Sequence, residues 1–392
     1  MIGKLAAVSL ATLGALLILL FGLLATVFFF IGAIDGTTLI LITLIFAGLS
    51  WLLGPIFQDF VLGFFYKMQW IGLDKLREKD PAIETFILDL CKKYKIKQPK
   101  IGFIQDDNPT AFTYGSDHWN ARLIFSNGIL KYLDKEEVQG VLAHEIGHIV
   151  HRDFIVMTIA SVIVTLMYEI YWIFRKSGQQ RSGSRKGGGA TIIIAGIAYV
   201  FYIIGTYLLL YLSRTREYFA DEFSGENSSP NALSTGLIKI AYGIIAEADT
   251  DKTTRLLNST RAMGLYDHKT AMSYGMTYID YKENKNSEVI EKSMVFDIKN
   301  PWAFFSEINS THPLTGKRLL KLAEQAETKG EKRFIDADKV KNFPIDKQKM
   351  YQGFITGAII GTGIGKLIVF TIALIIGVTF FGTAGLGFAI II

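Results

Sequence analysis

The sequence predicts an α-helical integral membrane protein that carries an α+β domain split in two by a transmembrane hairpin. Half of the 392 residues are hydrophobic, and the chain contains 37 glycines and 28 phenylalanines, a composition typical of membrane proteins. Several uncharged stretches reach the roughly 20 residues that cross a bilayer. Between and after these stretches, polar segments with helical and strand periodicities predict the α+β domain.

Four apolar segments predict membrane-spanning helices. The first two, residues 5–34 and 36–58, carry no charge and are separated only by Asp35, so they predict a tight hairpin. Residues 154–174 and 190–213 predict a second hairpin. The first segment is far longer than the apolar core of a signal peptide, about 7–15 residues, and we expect it to be retained.

These spans divide the chain into five units. Residues 1–58 form the first hairpin, and residues 59–153 form the first half of the α+β domain. Residues 154–213 form the second hairpin with its loop, and residues 214–350 form the second half of the domain. Residues 351–392 form a glycine-rich hydrophobic segment that is long enough to enter the membrane.

The C-terminal segment repeats glycine at every fourth position, at Gly353, Gly357, Gly361 and Gly365. Four residues advance by about 400° around a helix, so these glycines form a nearly continuous groove on which another helix can pack. The packing partner is either the same chain or a second copy, which makes the row a candidate surface for self-association. The alternative is a flexible apolar terminus, and composition alone does not decide between them.

The formal net charge of +5 at pH 7 equals the charge of one loop between the third and fourth predicted spans. Its basic residues are Arg175, Lys176, Arg181, Arg185 and Lys186, surrounded by glycine and serine. A flexible basic loop is suited to contact with lipid headgroups. The loop lacks the interleaved aromatic residues of a nucleic-acid surface, so no nucleic-acid partner is expected.

Residues 144–148 read His-Glu-Ile-Gly-His inside residues 135–152, which predict a helix. Residues four apart lie on one face of a helix, so His144 and His148 can direct both imidazoles at one metal ion. A catalytic zinc ion takes three protein ligands and keeps water in its fourth position. Glu145 lies beside that water and is the candidate general base. The alternative is a surface helix with two polar histidines.

Glu217 and Asp221 are the candidates to complete this site. His148 lies six residues before one span and Glu217 four residues after the next, which places both about 6–9 Å above the membrane edge. The hairpin therefore brings Glu217 to the metal, and Asp221 can accept the remaining ring N–H of a ligating histidine. His151 is a rival ligand, but it lies about 10.5 Å along the helix axis from His144. Each acid could instead lie on a solvated helix face.

The segment before the motif helix predicts a small α+β unit. Residues 81–94 have helical spacing, and residues 100–104 and 121–125 read as short strands. A peptide substrate in extended form can add to a sheet edge through main-chain hydrogen bonds, and the candidate edge segments are residues 108–115 and 121–126. Either strand could instead belong to a sheet that only supports the helix.

Four motifs stand out together along the chain. They are Asn108-Pro-Thr-Ala-Phe112, the His-Glu-Ile-Gly-His helix, Ser213-Arg-Thr-Arg-Glu217 followed by Asp221, and Ser310-Thr-His-Pro313 followed by Arg318. In combination they resemble the HtpX-like membrane zinc metalloproteases, which are related to the CAAX prenyl endopeptidases. The resemblance runs over residues 59–322 and implies a gluzincin-like zinc metallopeptidase domain. It implies one Zn²⁺ per chain held by His144, His148 and Glu217, with Glu145 as general base and acid.

The resemblance also implies roles for residues around the metal. His312 matches a family histidine thought to assist catalysis, while Asp221 and Arg318 support the site. The residues implied to bind substrate are Asn108, Ala111 and Phe112. From its own context, residues 311–313 look like the start of a helix, where a histidine is more often structural or exposed.

The implied activity is hydrolysis of peptide bonds in membrane or misfolded proteins, as in proteolytic quality control and stress response. The partners are then protein or peptide substrates and the lipid bilayer. A different class remains open, namely a non-proteolytic scaffold or chaperone with a structural or unused zinc site. The intact base Glu145 argues against that class, because a structural zinc site closes its fourth position with protein.

Two sequence signals disagree on the orientation of this multi-pass cell membrane protein. Lys4 favours a cytoplasmic N-terminus, and after two spans the catalytic domain then lies on the cytoplasmic side. The basic loop would face outside, against the positive-inside bias. The first hairpin and the family resemblance carry more weight, so we expect a cytoplasmic active site.

One segment departs from the family pattern. Residues 280–294 are rich in lysine, glutamate and asparagine, and they are expected to form a surface loop. No function can be assigned to them from the sequence.

Overall fold

The computed structural model of the chain describes residues 2–31, 36–180, 188–247, 268–284 and 287–358. The helices are α1 (Ile2–Ile31), α2 (Gly36–Tyr66), α3 (Leu73–Lys79), α4 (Pro81–Tyr94), α5 (Asn127–Tyr132), α6 (Lys135–Val150), α7 (Asp153–Gln180), α8 (Gly188–Asn227), α9 (Pro230–Ala246), α10 (His268–Asn284), α11 (Glu288–Lys299), α12 (Pro301–Ile308), α13 (Thr315–Thr328), α14 (Ala337–Asn342) and α15 (Lys347–Ala358). The strands are β1 (Gln69–Ile71), β2 (Lys100–Ile104), β3 (Ala111–Tyr114) and β4 (Arg122–Ser126). The centre of the basic loop and residues 359–392, with Gly361 and Gly365, lie outside the described residues.

Three helices in the described chain are long and apolar enough to cross a membrane, over Gly3–Val27, Asp153–Gly178 and Thr191–Asn227. They belong to α1, α7 and α8, and they share one buried hydrophobic cluster. The second predicted span lies on α2, whose part Trp51–Tyr66 is a shorter apolar helix. The four predicted spans therefore correspond to helices in the described part of the chain.

The helix of the fourth predicted span does not end at the membrane edge. α8 continues without interruption to Asn227 and carries Glu217 and Asp221 in its last third. The span and the acids that the sequence assigns to the site thus lie on a single helix, whose position in the bilayer sets the position of both carboxylates.

The four strands form one sheet in the order β1-β2-β4-β3. β2 and β4 are parallel, and β3 is an edge strand antiparallel to β4. Of the two candidate edge segments, residues 108–115 contain the edge strand β3. Residues 121–126 contain β4, which is paired on both sides, so the prediction that they offer a free edge is wrong.

The two halves of the α+β domain share one hydrophobic core. Ile87 and Val141, before the second hairpin, and Leu237 and Leu319, after it, belong to the same buried cluster. This core joins helices from both sides of the second hairpin, so the split α+β domain inside a helical membrane protein is confirmed.

The expectation of a surface loop at residues 280–294 is wrong for the residues that the structure describes. Residues 280–284 end α10, and residues 288–294 lie in α11. Ile290 and Met294 are fully buried in the shared core. They are four residues apart, on one face of α11, which explains how a polar segment contributes to the core.

α6 and α8 approach closely where the histidine motif lies. A Cβ atom on Gly147 would lie 3.2 Å from the ring of Phe223 on α8. About two turns earlier on α6, the carbonyl oxygen of Gly140 accepts a hydrogen bond from Ser224 Oγ at 2.6 Å. Glycine at position 147 therefore sets the distance between the helix of the histidines and the helix of Glu217.

We expect Gly147→Val to lower the free energy of unfolding by about 1–3 kcal/mol, because the added methyl groups must push α6 and α8 apart. The measurement is thermal unfolding of the purified protein in detergent. Gly196→Val on α8 is the control, since a Cβ atom there would meet nothing within 4 Å beyond its own stretch of helix. Equal unfolding temperatures for both variants would show that this contact does not set the helix distance.

Candidate active site

α6 places the two motif histidines side by side. The helix starts with a capping box, in which Asp134 accepts from the backbone N–H of Glu137 and Glu137 accepts from that of Asp134. Further along the same helix, the Nε2 atoms of His144 and His148 lie 3.2 Å apart. His144 is buried and His148 is half-buried, so His148 is the more exposed of the two.

α8 brings Glu217 against these two nitrogens. Glu217 Oε2 lies 3.6 Å from His144 Nε2, and Glu217 Oε1 lies 3.4 Å from His148 Nε2. One ligand atom from each of the three residues lies within 4.8 Å of the others, and no other such group occurs in the described part of the chain. Two imidazole nitrogens and one carboxylate oxygen form a donor set that zinc accepts, with a fourth position for water.

Asp221 and Arg318 lie where the sequence analysis expects support for the site. Asp221 Oδ1 is 2.9 Å from His144 Nδ1. Arg318 donates Nε and Nη2 to the two oxygens of Asp221, at 2.8 and 2.7 Å, and its Nη1 lies 3.7 Å from Glu217 Oε2. Burial lowers the pKa of His144, but Asp221 and Glu217 outweigh it and raise that pKa to about 9. Histidine binds a metal ion in its neutral form, so metal binding at His144 competes with protonation.

A matching support for His148 was missed by the sequence analysis. Asp153 Oδ2 lies 2.6 Å from His148 Nδ1, and Arg216 Nη2 donates to Asp153 Oδ1. The chain reaches this geometry through Arg152, whose φ of 56° is left-handed and turns α6 sharply into α7. Arg216 Nη1 also donates to Ser9 Oγ at 2.8 Å, which links α1 to the site. In the sequence, the only signal for Asp153 and Arg216 is that each of them lies next to a predicted membrane span.

Glu145 lies in the interior beside the two histidines, with 2% of its surface exposed. Thr113 Oγ1, on the edge strand β3, donates to Glu145 Oε2 at 3.1 Å. Burial raises the pKa of the Glu145 carboxyl. A carboxyl group with a raised pKa can both accept and return a proton near neutral pH. Thr113 was not identified from the sequence.

His312 reaches the same cluster from the loop between α12 and α13. Its Nδ1 lies 3.1 Å from Glu217 Oε2, and the residue is buried. Ser213 Oγ on α8 donates to the carbonyl oxygen of Thr311 at 2.9 Å and fixes this loop. The structure thus brings His312 to the site from a part of the chain far away in sequence.

His151 is placed differently from the other histidines of the region. It is the C-cap residue that follows α6, and its ring packs edge-on against Phe223 with the centroids 5.6 Å apart. Burial lowers its pKa to about 4. His151 does not belong to the metal-capable group, in agreement with its low rank as a rival ligand.

The three residues implied to bind substrate are fully buried, namely Asn108, Ala111 and Phe112. Along β3, Ala111 points into the main core and Phe112 into a second cluster on the opposite face. Their side chains are therefore not accessible to a substrate in this conformation. Within the described residues β3 pairs with β4 alone, so its outer edge leaves main-chain groups for an extended peptide.

Comparison with known proteins identifies the family of the chain. The sequence profile of peptidase family M48 matches residues 77–326, well over half of the chain. A "Protease HtpX homolog" of Methanothermobacter thermautotrophicus is 30% identical over 232 residues, covering 57% of this chain and 82% of that protein. One of Aquifex aeolicus is 35% identical over 216 residues, covering 53% and 70%.

Among solved structures, that of S. mikatae Ste24p is similar at 16% sequence identity with a TM-score of 0.46, covering 79% of this chain and 62% of that one. The family match and the two relatives confirm the resemblance to the HtpX-like proteases. A scaffold without proteolytic activity is not favoured. The chain belongs to peptidase family M48 and is a membrane metalloprotease.

Proposed function

We propose that the protein is a zinc endopeptidase whose single metal ion is held by His144, His148 and Glu217. The observation that carries this proposal is the convergence of their three ligand atoms within 4.8 Å of one another. The donor set suits zinc, and three protein ligands leave the open position that catalysis requires. Zinc, when bound, supplies a Lewis acid at this point.

The protein side chains then carry the proton transfers. Glu145, oriented by Thr113, takes a proton from the attacking water and returns it to the leaving amine. Asp221 and Asp153 hold the two imidazoles through their Nδ1 atoms, so that both Nε2 atoms face the metal position. His312 lies beside Glu217 and is assigned to substrate or the developing oxyanion.

The substrates that we propose are membrane or misfolded proteins, cleaved in proteolytic quality control. An extended segment added to the edge of β3 would lie next to Thr113 and hence next to Glu145. Main-chain recognition of this kind is sequence-tolerant, which suits a protease that acts on many unfolded chains. Asn108, Ala111 and Phe112 contribute by holding this strand in place.

We also propose self-association through the C-terminal glycine row, with one restriction from the structure. A Cβ atom on Gly357 would lie 3.1 Å from Trp302, so this position already packs inside the chain. A Cβ atom on Gly353 would meet no atom within 4 Å, so that position is open to a partner. Gly361 and Gly365 lie outside the described residues.

Glu145→Gln should keep the zinc ion and lower proteolysis by about 100-fold or more, because it removes the base and leaves the ligands. Glu217→Ala should lose zinc as well. The measurements are metal content by elemental analysis and cleavage of an unfolded protein. The control is Glu136→Gln, which changes an exposed glutamate on the same helix. Undiminished cleavage by Glu145→Gln would contradict the mechanism.

Arg216→Met should weaken zinc retention by about 10–100-fold, because Asp153 loses its buried partner and no longer orients His148. The measurement is the chelator concentration that removes half of the zinc. Arg333→Met, which removes only surface ion pairs, is the matched control. Zinc retention equal to that of the control would exclude this orienting role.

For the orientation, we propose a cytoplasmic active site, as the first hairpin indicates. The variant Ser182→Cys, made in the Cys91→Ala background, places a single cysteine in the basic loop. We expect this cysteine to react with a membrane-impermeant thiol reagent on intact cells. Protection until the cells are opened would place the active site outside. A cysteine at Lys341 on α14 should show the opposite labelling, since it lies in the α+β domain.

A further inference from the structure

α12 and α15 carry a patch of exposed hydrophobic side chains, called here the aromatic patch. Its members are Trp302, Phe304, Phe305, Tyr351 and Ile355, which are between 42% and 55% exposed. Phe354 joins the two helices, with its ring 4.7 Å from that of Trp302 and 5.6 Å from that of Phe305. A contiguous patch of this kind indicates an interaction surface.

The C-terminal end of α12, which carries part of the patch, is hydrogen-bonded to α8 where the predicted membrane span ends. Arg214 Nη1 donates to the carbonyl oxygens of Glu307, Ile308 and Ser310 at 3.0, 3.3 and 2.8 Å. These bonds satisfy carbonyl groups at the C-terminal end of α12. The level of α12 relative to the bilayer is therefore set by α8.

A groove between α8 and α12 shows where α12 lies along α8. It has a volume of about 390 Å³, and its lining includes Ile204, Tyr207, Tyr211 and Arg214 of α8 and Phe304 of α12. Ile204 lies nine residues before Ser213, the end of the predicted span, and thus about 13 Å deeper along the helix axis. The groove thus runs along α8 from Ile204 to Arg214, and Phe304 lies against the end of the predicted span that faces the active site.

We propose that the aromatic patch is a membrane-docking surface, which enters the boundary between headgroups and acyl chains in the leaflet on the active-site side. The occupant is lipid, because the patch continues the lipid-facing surface of α8. Tryptophan and tyrosine favour this boundary, and short amphipathic helices lie in its plane. Exposed Lys347 and Lys349 at the start of α15 add attraction to anionic headgroups.

The docking surface is directly joined to the active site. Glu307, in the last turn of α12, pairs with Lys317 on α13 and accepts from the backbone N–H of Leu314 at 3.3 Å. His312 lies in the loop that these contacts close, between Glu307 and Leu314. Lipid contact at the aromatic patch would therefore hold His312 at a fixed height above the membrane.

The test is spin labelling of the full-length protein in vesicles of phosphatidylcholine and phosphatidylglycerol. Phe304→Cys and Ile355→Cys, each in the Cys91→Ala background, are labelled with a nitroxide. Relaxation by oxygen, which concentrates in lipid, is compared with relaxation by a water-soluble nickel chelate. Ile159→Cys, on the exposed face of α7, is the lipid control, and Lys341→Cys is the water control.

We expect both patch labels to lose accessibility to nickel down to the level of the Ile159→Cys control while oxygen remains accessible. Nickel accessibility equal to that of Lys341→Cys would place the patch in water and overturn the proposal. Inaccessibility to both reagents would mean that protein covers the patch, either residues 359–392 or a second copy, and would overturn it equally. Because two independent sites are labelled, a misfolded variant at one of them does not decide the result.

Discussion

The close crossing of α6 and α8 is the constraint on which the rest of the structure depends. α6 carries both histidines, α8 carries Glu217, and Gly147 allows the two helices to approach until the ring of Phe223 fills the contact. α8 is also a membrane span, so one continuous helix connects the bilayer with the metal position. A change in the tilt of α8 would move Glu217 relative to the histidines. The membrane is therefore part of what holds the site together.

The second condition is that the buried charges around the metal position compensate each other. Asp221 is held by Arg318 and Asp153 by Arg216, and each aspartate faces the Nδ1 atom of one histidine. Breaking a buried pair costs about 3–5 kcal/mol, because the remaining charge is left without a partner. The two carboxylate–arginine pairs therefore fix the imidazole orientations before any metal arrives. The site is preorganised by charge rather than by packing alone.

Much of the site could be predicted from the sequence because it rests on regular geometry. The spacing of His144 and His148 follows from the helix period, and the height of Glu217 follows from hairpin symmetry. Asp153 could not be assigned, because its position depends on the left-handed turn at Arg152, a conformation that few residues other than glycine adopt. The order of the strands, which makes β3 rather than β4 the edge, depends on pairing between distant segments. Likewise the start of α11 was hidden by its polar composition, since within residues 280–294 the main core takes up only Ile290 and Met294 among the described residues.

Two helices, α8 and α12, connect the metal position with the bilayer. The site is therefore coupled to the membrane and not only tethered to it. α8 leads from the membrane interior to Glu217, and α12 leads from the aromatic patch to His312, which lies 3.1 Å from the same carboxylate. Ser213 and Arg214 connect α8 with the loop after α12 at the membrane edge. α8 carries Glu217, and α12 is followed by the loop that carries His312. A displacement of either helix therefore changes the contact between His312 Nδ1 and Glu217 Oε2. Lipid contact at α12 and lipid contact along α8 thus act on the active site together. They keep the active site at a height above the membrane that a substrate segment leaving the membrane can reach.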